Sequence, residues 1–233
     1  MRLALLLLVW SVSSFAQVPK VLVATIQPGL GPAQALQLDG TTLVYTTRVG
    51  PNVEAQKITP TPAQWSAFRR ALDAQKVWRW HGNYDKSNAP DTTTWSLKLE
   101  YADRSVMAAG AAAFPDRSTD RSLPKYAFNR YQLALQELIG RSFGRGVKPI
   151  EVFDLSELKL VATHPSENET EQWADFRDPR GKVHRALLHE PVGGRGKLAQ
   201  VNRSSVSLTV VVKGPKGEWQ EQERIMQVSP SKK

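Results

Sequence analysis

The sequence predicts an α+β domain, an antiparallel sheet with two helices, followed by a small all-β sandwich or barrel domain. In the first half, two helical patterns alternate with strand-like segments. After residue 150, short apolar runs are separated by Gly, Pro and Asp, which is typical of an all-β domain. The chain has 233 residues, enough for two domains, and 41% of them are hydrophobic, as in globular proteins. We therefore predict two folded units, each with its own core.

Residues 1–16 have the pattern of a secretory signal peptide. Arg2 supplies a basic start, Leu3 to Trp10 is an apolar run too short to span a bilayer, and Ser14 to Ala16 is a small-x-small cleavage site. We expect cleavage after Ala16 and a periplasmic protein. The alternative, an N-terminal membrane anchor, is disfavoured because the apolar run is short.

Residues 17–140 contain the signals of the α+β domain. The first strands are predicted at Val21 to Ala24 and, after an Asp-Gly turn, at Thr41 to Arg48. A third is predicted at Val77 to His81. Strict alternation from Trp95 to Tyr101 and a return strand from Ser105 to Ala109 predict a hairpin.

Both predicted helices have recognisable ends. Thr61 is a candidate N-cap, Pro62 fits the first helical position, and Gln64 completes a capping box. The second helix is predicted from near Pro124 to Gly140, where glycine can terminate it. The two apolar faces consist of Trp65, Phe68 and Leu72, and of Phe128, Tyr131, Leu135, Leu138 and Ile139.

Residues 141–149 have the composition of a linker, and residues 150–228 form the predicted β domain, with a tail at 229–233. Its motifs, in order, are Leu-x-Leu-Val-x-Thr, an aromatic-led strand, Asp-Pro-x-Gly-x-Val-His-Arg, a glycine loop ending in Lys-Leu, a long β-branched strand and Gly-x-Trp-x-Glu. This ordered set resembles the periplasmic domain of the type IV pilus assembly protein PilP, a relative of the homology region of the type II secretion protein GspC. The first domain is similar to small uncharacterised domains of exported bacterial proteins.

The resemblance implies a non-enzymatic scaffold or adaptor that links inner-membrane components of the pilus or secretion machinery to the outer-membrane secretin. Three departures from the family pattern stand out, and the first is a predicted folded domain in place of the family's usual N-terminal extension. The chain contains no cysteine, so we predict no covalent lipid anchor of the PilP type. His189-Glu190-Pro191 replaces the usual turn, and its proline removes a backbone donor.

The formal net charge is +9, and the basic surplus lies mainly in residues 17–149. The basic residues are dispersed, so the sequence has no basic stripe with stacking aromatics and predicts no nucleic-acid binding. The simpler interpretation is that this positive charge keeps the protein soluble. The alternative function is a periplasmic binding module for an acidic ligand or glycan, centred on the basic first domain.

The sequence offers no convergent catalytic set, and we predict no catalytic, cofactor or metal site. None of the four histidines has ligand spacing, and Asp85 and Asp91 in one loop are better explained as turn residues. Gly193 to Gly196 is not followed by a helix and is interpreted as a turn between strands, not a phosphate loop.

Two binding hypotheses remain. Trp78 and Trp80 would share one side of their predicted strand and offer a sugar-stacking platform if exposed, although core packing is the simpler explanation. The second hypothesis is strand addition at an edge strand from Ser205 to Val212. Its predicted partner-binding residues are Val206, Leu208, Val210 and Val212.

Overall fold

The computed structural model describes residues 18–29, 31–85, 93–215 and 218–229, with the backbone alone at Lys213 and Trp219. The predicted signal peptide, its cleavage site and Asp91 lie outside the described residues, as do the last four residues of the predicted tail.

The first unit consists of a seven-stranded sheet and two helices. Along the sheet the strands follow the order β4-β3-β2-β1-β6-β7-β5, and all neighbours are antiparallel except β5 and β7. The strands are β1 (Val21–Gln27), β2 (Ala33–Asp39), β3 (Thr42–Val49), β4 (Asn52–Ile58), β5 (Gly82–Asp85), β6 (Thr94–Glu100) and β7 (Ser105–Ala111), and the helices are α1 (Pro62–Ala74) and α2 (Ala127–Ile139).

Buried and more exposed residues alternate along the central strands, so one face of this sheet packs against the helices. In β1 and β6 every second residue is buried, which is the pattern of a strand covered on one side. The predicted apolar faces of both helices are buried against that side. The predicted α+β architecture is therefore confirmed.

The ends of α1 and α2 are largely those that the sequence predicts. Thr61 is the N-cap of α1: the Gln64 N–H donates to its Oγ1 over 3.3 Å, and the Thr61 N–H donates to Gln64 Oε1 over 2.8 Å. Gly140 ends α2 at φ 70°, a left-handed conformation that glycine adopts without strain. Helix α2 begins at Ala127, three residues after Pro124, because Tyr126 is itself left-handed.

The predicted strand from Val77 to His81 is wrong. After α1 the chain makes a left-handed turn at Lys76 and a 3-10 turn over Val77–Arg79. This turn separates the two tryptophans: Trp80 is 3% exposed in the core, whereas Trp78 is half-buried near the surface. No shared tryptophan platform exists at this position, because a 3-10 turn does not place residues two apart on one side.

The second unit is a β sandwich of two small sheets. One sheet has the order β10-β9-β8 and the other β11-β12-β13-β14, so the predicted all-β C-terminal domain is confirmed. Its strands are β8 (Lys159–His164), β9 (Trp173–Arg177), β10 (Val183–Leu187), β11 (Pro191–Val192), β12 (Gly196–Val201), β13 (Ser205–Lys213) and β14 (Trp219–Gln227).

The segment from 141 to 149 is packed between the two units. Phe143 is buried in the first core and Val147 in the second. The Gly144 N–H donates to Gln34 Oε1 over 2.7 Å, and Gln136 Nε2 donates to the Val147 carbonyl over 2.8 Å. Although this segment has the composition of a linker, it is therefore packed against both units and is not an exposed tether. Division into domains at 17–140, 141–149 and 150–228 stays a prediction.

No helix formed by the described residues combines the length and the apolar character needed to cross a bilayer.

Candidate partner-binding surface

The Asp-Pro-x-Gly-x-Val-His-Arg motif forms the turn between β9 and β10. The Asp178 carboxylate accepts hydrogen bonds from the N–H groups of Arg180 (2.8 Å) and Lys182 (3.0 Å), and its second oxygen lies 3.0 Å from His184 Nε2. Gly181 has φ 85°, which explains the glycine of the motif. The motif therefore positions a turn, and its histidine is a structural partner of Asp178.

Burial opposes ionisation of Asp178, but the hydrogen bonds from His184 and from the N–H groups of Lys182 and Arg180 hold the pKa of this carboxyl below its ordinary value. Arg185, next to His184, forms a bidentate ion pair with Asp175, with hydrogen bonds of 2.9 and 3.1 Å. Two adjacent residues of β10, His184 and Arg185, are thus each held to a carboxylate.

The remaining histidines are separated from one another. His164 stacks on Trp173 with ring centroids 5.1 Å apart, and His81 stacks on Tyr84 at 6.2 Å. His189 Nε2 lies 4.0 Å from a Glu169 carboxylate oxygen on an exposed surface. Within the ranges that the structure describes, no group of three His, Asp or Glu side chains is placed to hold a metal ion.

The glycine loop between β11 and β12 packs against the beginning of α2. Gly193 and Gly194 have φ values of 62° and 64°. A Cβ atom on Gly194 would lie 2.4 Å from Cζ of Tyr126, and one on Gly193 would lie 2.6 Å from Leu155. The loop is a glycine turn, as predicted, and close packing is a second reason for its glycines.

Strand β13 is not the edge strand that the sequence predicts. It pairs with β12 on one side and with β14 on the other. Val206 and Leu208 are fully buried in the second core, Val210 is buried, and Val212 is half-buried against that core. The run looked like an edge because it is long and β-branched, yet these are also the properties of a central strand. Contact of the four residues with a partner stays a prediction, but strand addition to β13 is excluded by its two neighbours.

The long edge strand of this sheet is β14, and the two-residue β11 forms the opposite edge. The nine residues of β14 pair with β13 along their full length, and no described strand pairs with the other side. Residues 220–225 are all exposed, and Ile225 is 65% exposed. Glu221, Glu223 and Arg224 place charges on this edge, a feature that limits indiscriminate pairing.

A cavity of about 340 Å³ lies beside β14. Its lining includes Val210 and Val212, two of the predicted partner-binding residues, together with Arg224 of β14 and Tyr126. By register, Arg224 lies opposite Leu208 and hence on the core-facing side of the sheet, yet it is exposed. At Arg224, strand β14 therefore lies beyond the part of the sheet that the sandwich covers, whereas Met226 packs against the second core.

Asp154 also lines this cavity and accepts hydrogen bonds from Lys125 and, over 2.9 Å, from the Tyr126 hydroxyl. Burial opposes ionisation of Asp154, but these donors hold the pKa of its carboxyl below the ordinary value. Burial, followed by the Asp154 carboxylate, raises the pKa of Tyr126. The phenol is therefore protonated and serves as a hydrogen-bond donor.

Comparison with known protein families identifies the C-terminal part of the chain. Residues 124–228 match the family described as "Pilus assembly protein, PilP". The match begins before α2 and ends after β14, and it leaves the seven-stranded sheet outside. The chain thus carries a C-terminal PilP-like domain, as the motif order predicts. Among curated proteins, no match to this chain is found.

The solved structures that match include three structures of PilP or its domains. The solution structure of PilP from Pseudomonas aeruginosa is 21% identical, covers 38% of this chain and 78% of that chain, and has a TM-score of 0.33. A domain from the type IV pilus biogenesis lipoprotein PilP from Pseudomonas aeruginosa PA01 is 22% identical, with 34% and 90% coverage and a TM-score of 0.29. A domain from the Neisseria meningitidis PilP pilot protein is 17% identical, with 37% and 74% coverage and a TM-score of 0.31.

Proposed function

We propose that this protein is a non-enzymatic adaptor of the bacterial periplasm that binds another envelope protein through the outer edge of β14. The observation that carries the proposal is the unpaired side of β14 within the region that matches the PilP family. An exposed edge offers a row of main-chain donors and acceptors that an extended segment of a partner can satisfy.

The machinery we propose is that of type IV pilus or type II secretion assembly, with the secretin or an inner-membrane component as the partner. The support is the family match, whose description names pilus assembly. The charges on β14 add selectivity, because a partner strand must place its own charges to complement Glu221, Glu223 and Arg224.

Strand β4 provides a matched control for this proposal. It is also an exposed edge strand, but it belongs to the sheet that lies outside the PilP match. A photo-crosslinking residue placed at Glu223 should capture an envelope protein in intact cells, and the same residue at Glu54 of β4 should not. Capture at Glu54 alone would contradict the proposed surface.

Proline substitutions then test the main-chain character of the contact. N–H groups of successive strand residues point to opposite sides, so one of Glu221 and Gln222 donates towards β13 and the other towards the open side. We expect the proline that removes the outward N–H to weaken binding of the captured partner about tenfold or more, with the fold retained. The proline at the other position removes the N–H that donates towards β13, and it should therefore lower the melting temperature of the protein. If both folded variants bound as tightly as the parent, strand addition at β14 would be wrong.

A further inference from the structure

A second concave surface lies where the two units meet. We call it the junction groove: helices α1 and α2 form one wall, the chain between Pro149 and Phe153 lines its base, and the turn between β9 and β10 forms the other wall. Its volume is about 410 Å³, which is within the range of ligand pockets. It does not include β14.

The rim of the junction groove is basic. Arg70 comes from α1, Arg130 from α2, and Arg180 and Lys182 from the β9–β10 turn. Arg70, Arg180 and Lys182 are exposed, and none of the four has an ion-pair partner among the described residues. Two units that are distant in the sequence thus place four positive side chains around one cavity.

Two carboxylates, Asp178 and Glu137, line the groove against these four basic side chains, which leaves a formal surplus of two positive charges. Of the two carboxylates that line it, Asp178 is already hydrogen-bonded to its own turn and to His184. Glu137 is exposed on α2. The junction groove therefore keeps a positive balance and attracts anions.

Arg130 shows that a positive charge is costly at this position. It is half-buried and donates through Nε (3.3 Å) and Nη2 (2.8 Å) to the carbonyl of Val152, a neutral acceptor. Burial lowers the pKa of Arg130. An anion bound in the groove would offset this desolvation through a charge-assisted hydrogen bond.

The base of the groove is suited to a peptide. Leu133 and the exposed Ala74 supply apolar surface, and beneath them Phe153 is 5% exposed, with the Arg180 guanidinium over its ring at 5.7 Å. Gln75 lines the wall, is 6% exposed, and its Oε1 has no hydrogen-bond partner in the described part of the chain. After a rotamer change, this acceptor can be satisfied by a peptide N–H, which a phosphate or carboxylate alone does not provide.

We propose that the junction groove binds an extended, acidic segment of a partner protein, with aliphatic residues between its carboxylates. The carboxylates pair with Arg70, Arg180 and Lys182 at the rim, and the aliphatic residues contact Leu133 and Ala74. A membrane surface fits less well, because a planar array of headgroups cannot enter a groove between two walls. This site is separate from β14 and does not depend on the strand-edge proposal.

The probe is a fluorescein-labelled peptide of alternating Glu and Val residues, measured by fluorescence anisotropy with the full chain at about 0.15 M salt. We expect R70E/K182E to weaken its binding about tenfold or more. The matched control is R48E/K57E, which makes the same change of net charge at exposed residues of β3 and β4 outside the groove. This control should change the affinity less than about threefold, because only screened long-range attraction is altered.

Several outcomes overturn the inference. An equal loss in the two variants would mean general charge attraction, and binding only to phosphatidylglycerol vesicles would mean a membrane surface. Equal affinity for a Lys-Val peptide would exclude charge recognition. The milder R70Q/K182Q variant, with circular dichroism to check its fold, repeats the test if R70E/K182E is unstable. The β14 proline variants should bind the probe like the parent, so failure of one site is distinguishable from failure of the other.

Discussion

The hydroxyl of Tyr126 donates a hydrogen bond of 2.9 Å to the carboxylate of Asp154. Tyr126 precedes α2, whereas Asp154 lies just before the sandwich, so the bond ties this helix to the C-terminal unit. Leu133 of α2 also packs against the second core. Helix α2 therefore contributes to both cores, which agrees with a family match that begins at residue 124.

Tyr126→Phe should lower the free energy of unfolding by about 1–2 kcal/mol, because a partly buried hydrogen bond to a charged acceptor is lost. Tyr131→Phe is the matched control. Its hydroxyl is buried and has no partner among the described residues, so its removal should be neutral or stabilising. Urea unfolding followed by circular dichroism measures both, and equal losses would contradict the assigned role of Tyr126.

Gly194→Ala should destabilise the protein more than Gly181→Ala. Both glycines have positive φ, so both substitutions cost about 1–2 kcal/mol of backbone strain. At Gly181 a Cβ meets nothing within 4 Å, whereas at Gly194 it would overlap the Tyr126 ring. The difference should shrink when Tyr126→Ala removes that ring, a double-mutant cycle that thermal unfolding can follow. Additive effects would show that the ring is not the obstacle.

Arg69→Lys should cost about 1–2 kcal/mol although the charge is kept. The Arg69 guanidinium donates twice to Asp103 (2.8 and 3.1 Å) and lies 4.4 Å from the centroid of the Tyr101 ring, an arrangement that an ammonium group cannot reproduce. The adjacent Arg70 is exposed and has no ion pair among the described residues, so Arg70→Lys should change stability by less than about 0.5 kcal/mol. Chemical denaturation distinguishes the two, and a neutral Arg69→Lys would contradict this prediction.

Asp178→Asn should change how stability depends on pH. The pKa of Asp178 is lowered on folding, so its ionised form contributes stability above the unfolded value of 3.8, and this contribution is lost as the pH falls through the folded value. The difference in unfolding free energy between parent and variant should be largest above about pH 5 and should shrink below about pH 4. Gln56→Asn, on exposed β4, changes no titratable group; it is the control and should give a constant, small difference. A constant difference for Asp178→Asn would refute the linkage.

Most regular elements of this protein are encoded locally. The capping box at Thr61, the alternation from Trp95 to Tyr101 and the glycine at 140 predict a helix start, a strand and a helix end, because each depends on the geometry of a few adjacent residues. The motif order after Phe153 likewise predicted the PilP-like domain that the family match identifies.

The elements that sequence reasoning missed are those with weak local patterns. Strand β4 is polar and exposed along most of its length, so it has no alternation to detect, and it forms by pairing with β3. The segment from Val77 to His81 has the residue types of a strand, but packing of Trp80 against Trp95 and Tyr131 accompanies a 3-10 turn. Tertiary contacts outweighed propensity in both cases.

For the candidate site, the sequence alone determined the fold class, the C-terminal family resemblance and which residues of β13 are apolar. Only the tertiary structure decided that these residues face the second core and that β14, not β13, is an edge strand, because a strand becomes central or peripheral through the number of strands that pair with it. The junction groove also depends on tertiary packing. Arg70 and Lys182 are more than a hundred residues apart, and their positive charges share one cavity because packing of α1 and α2 beside the β9–β10 turn brings them to the same place.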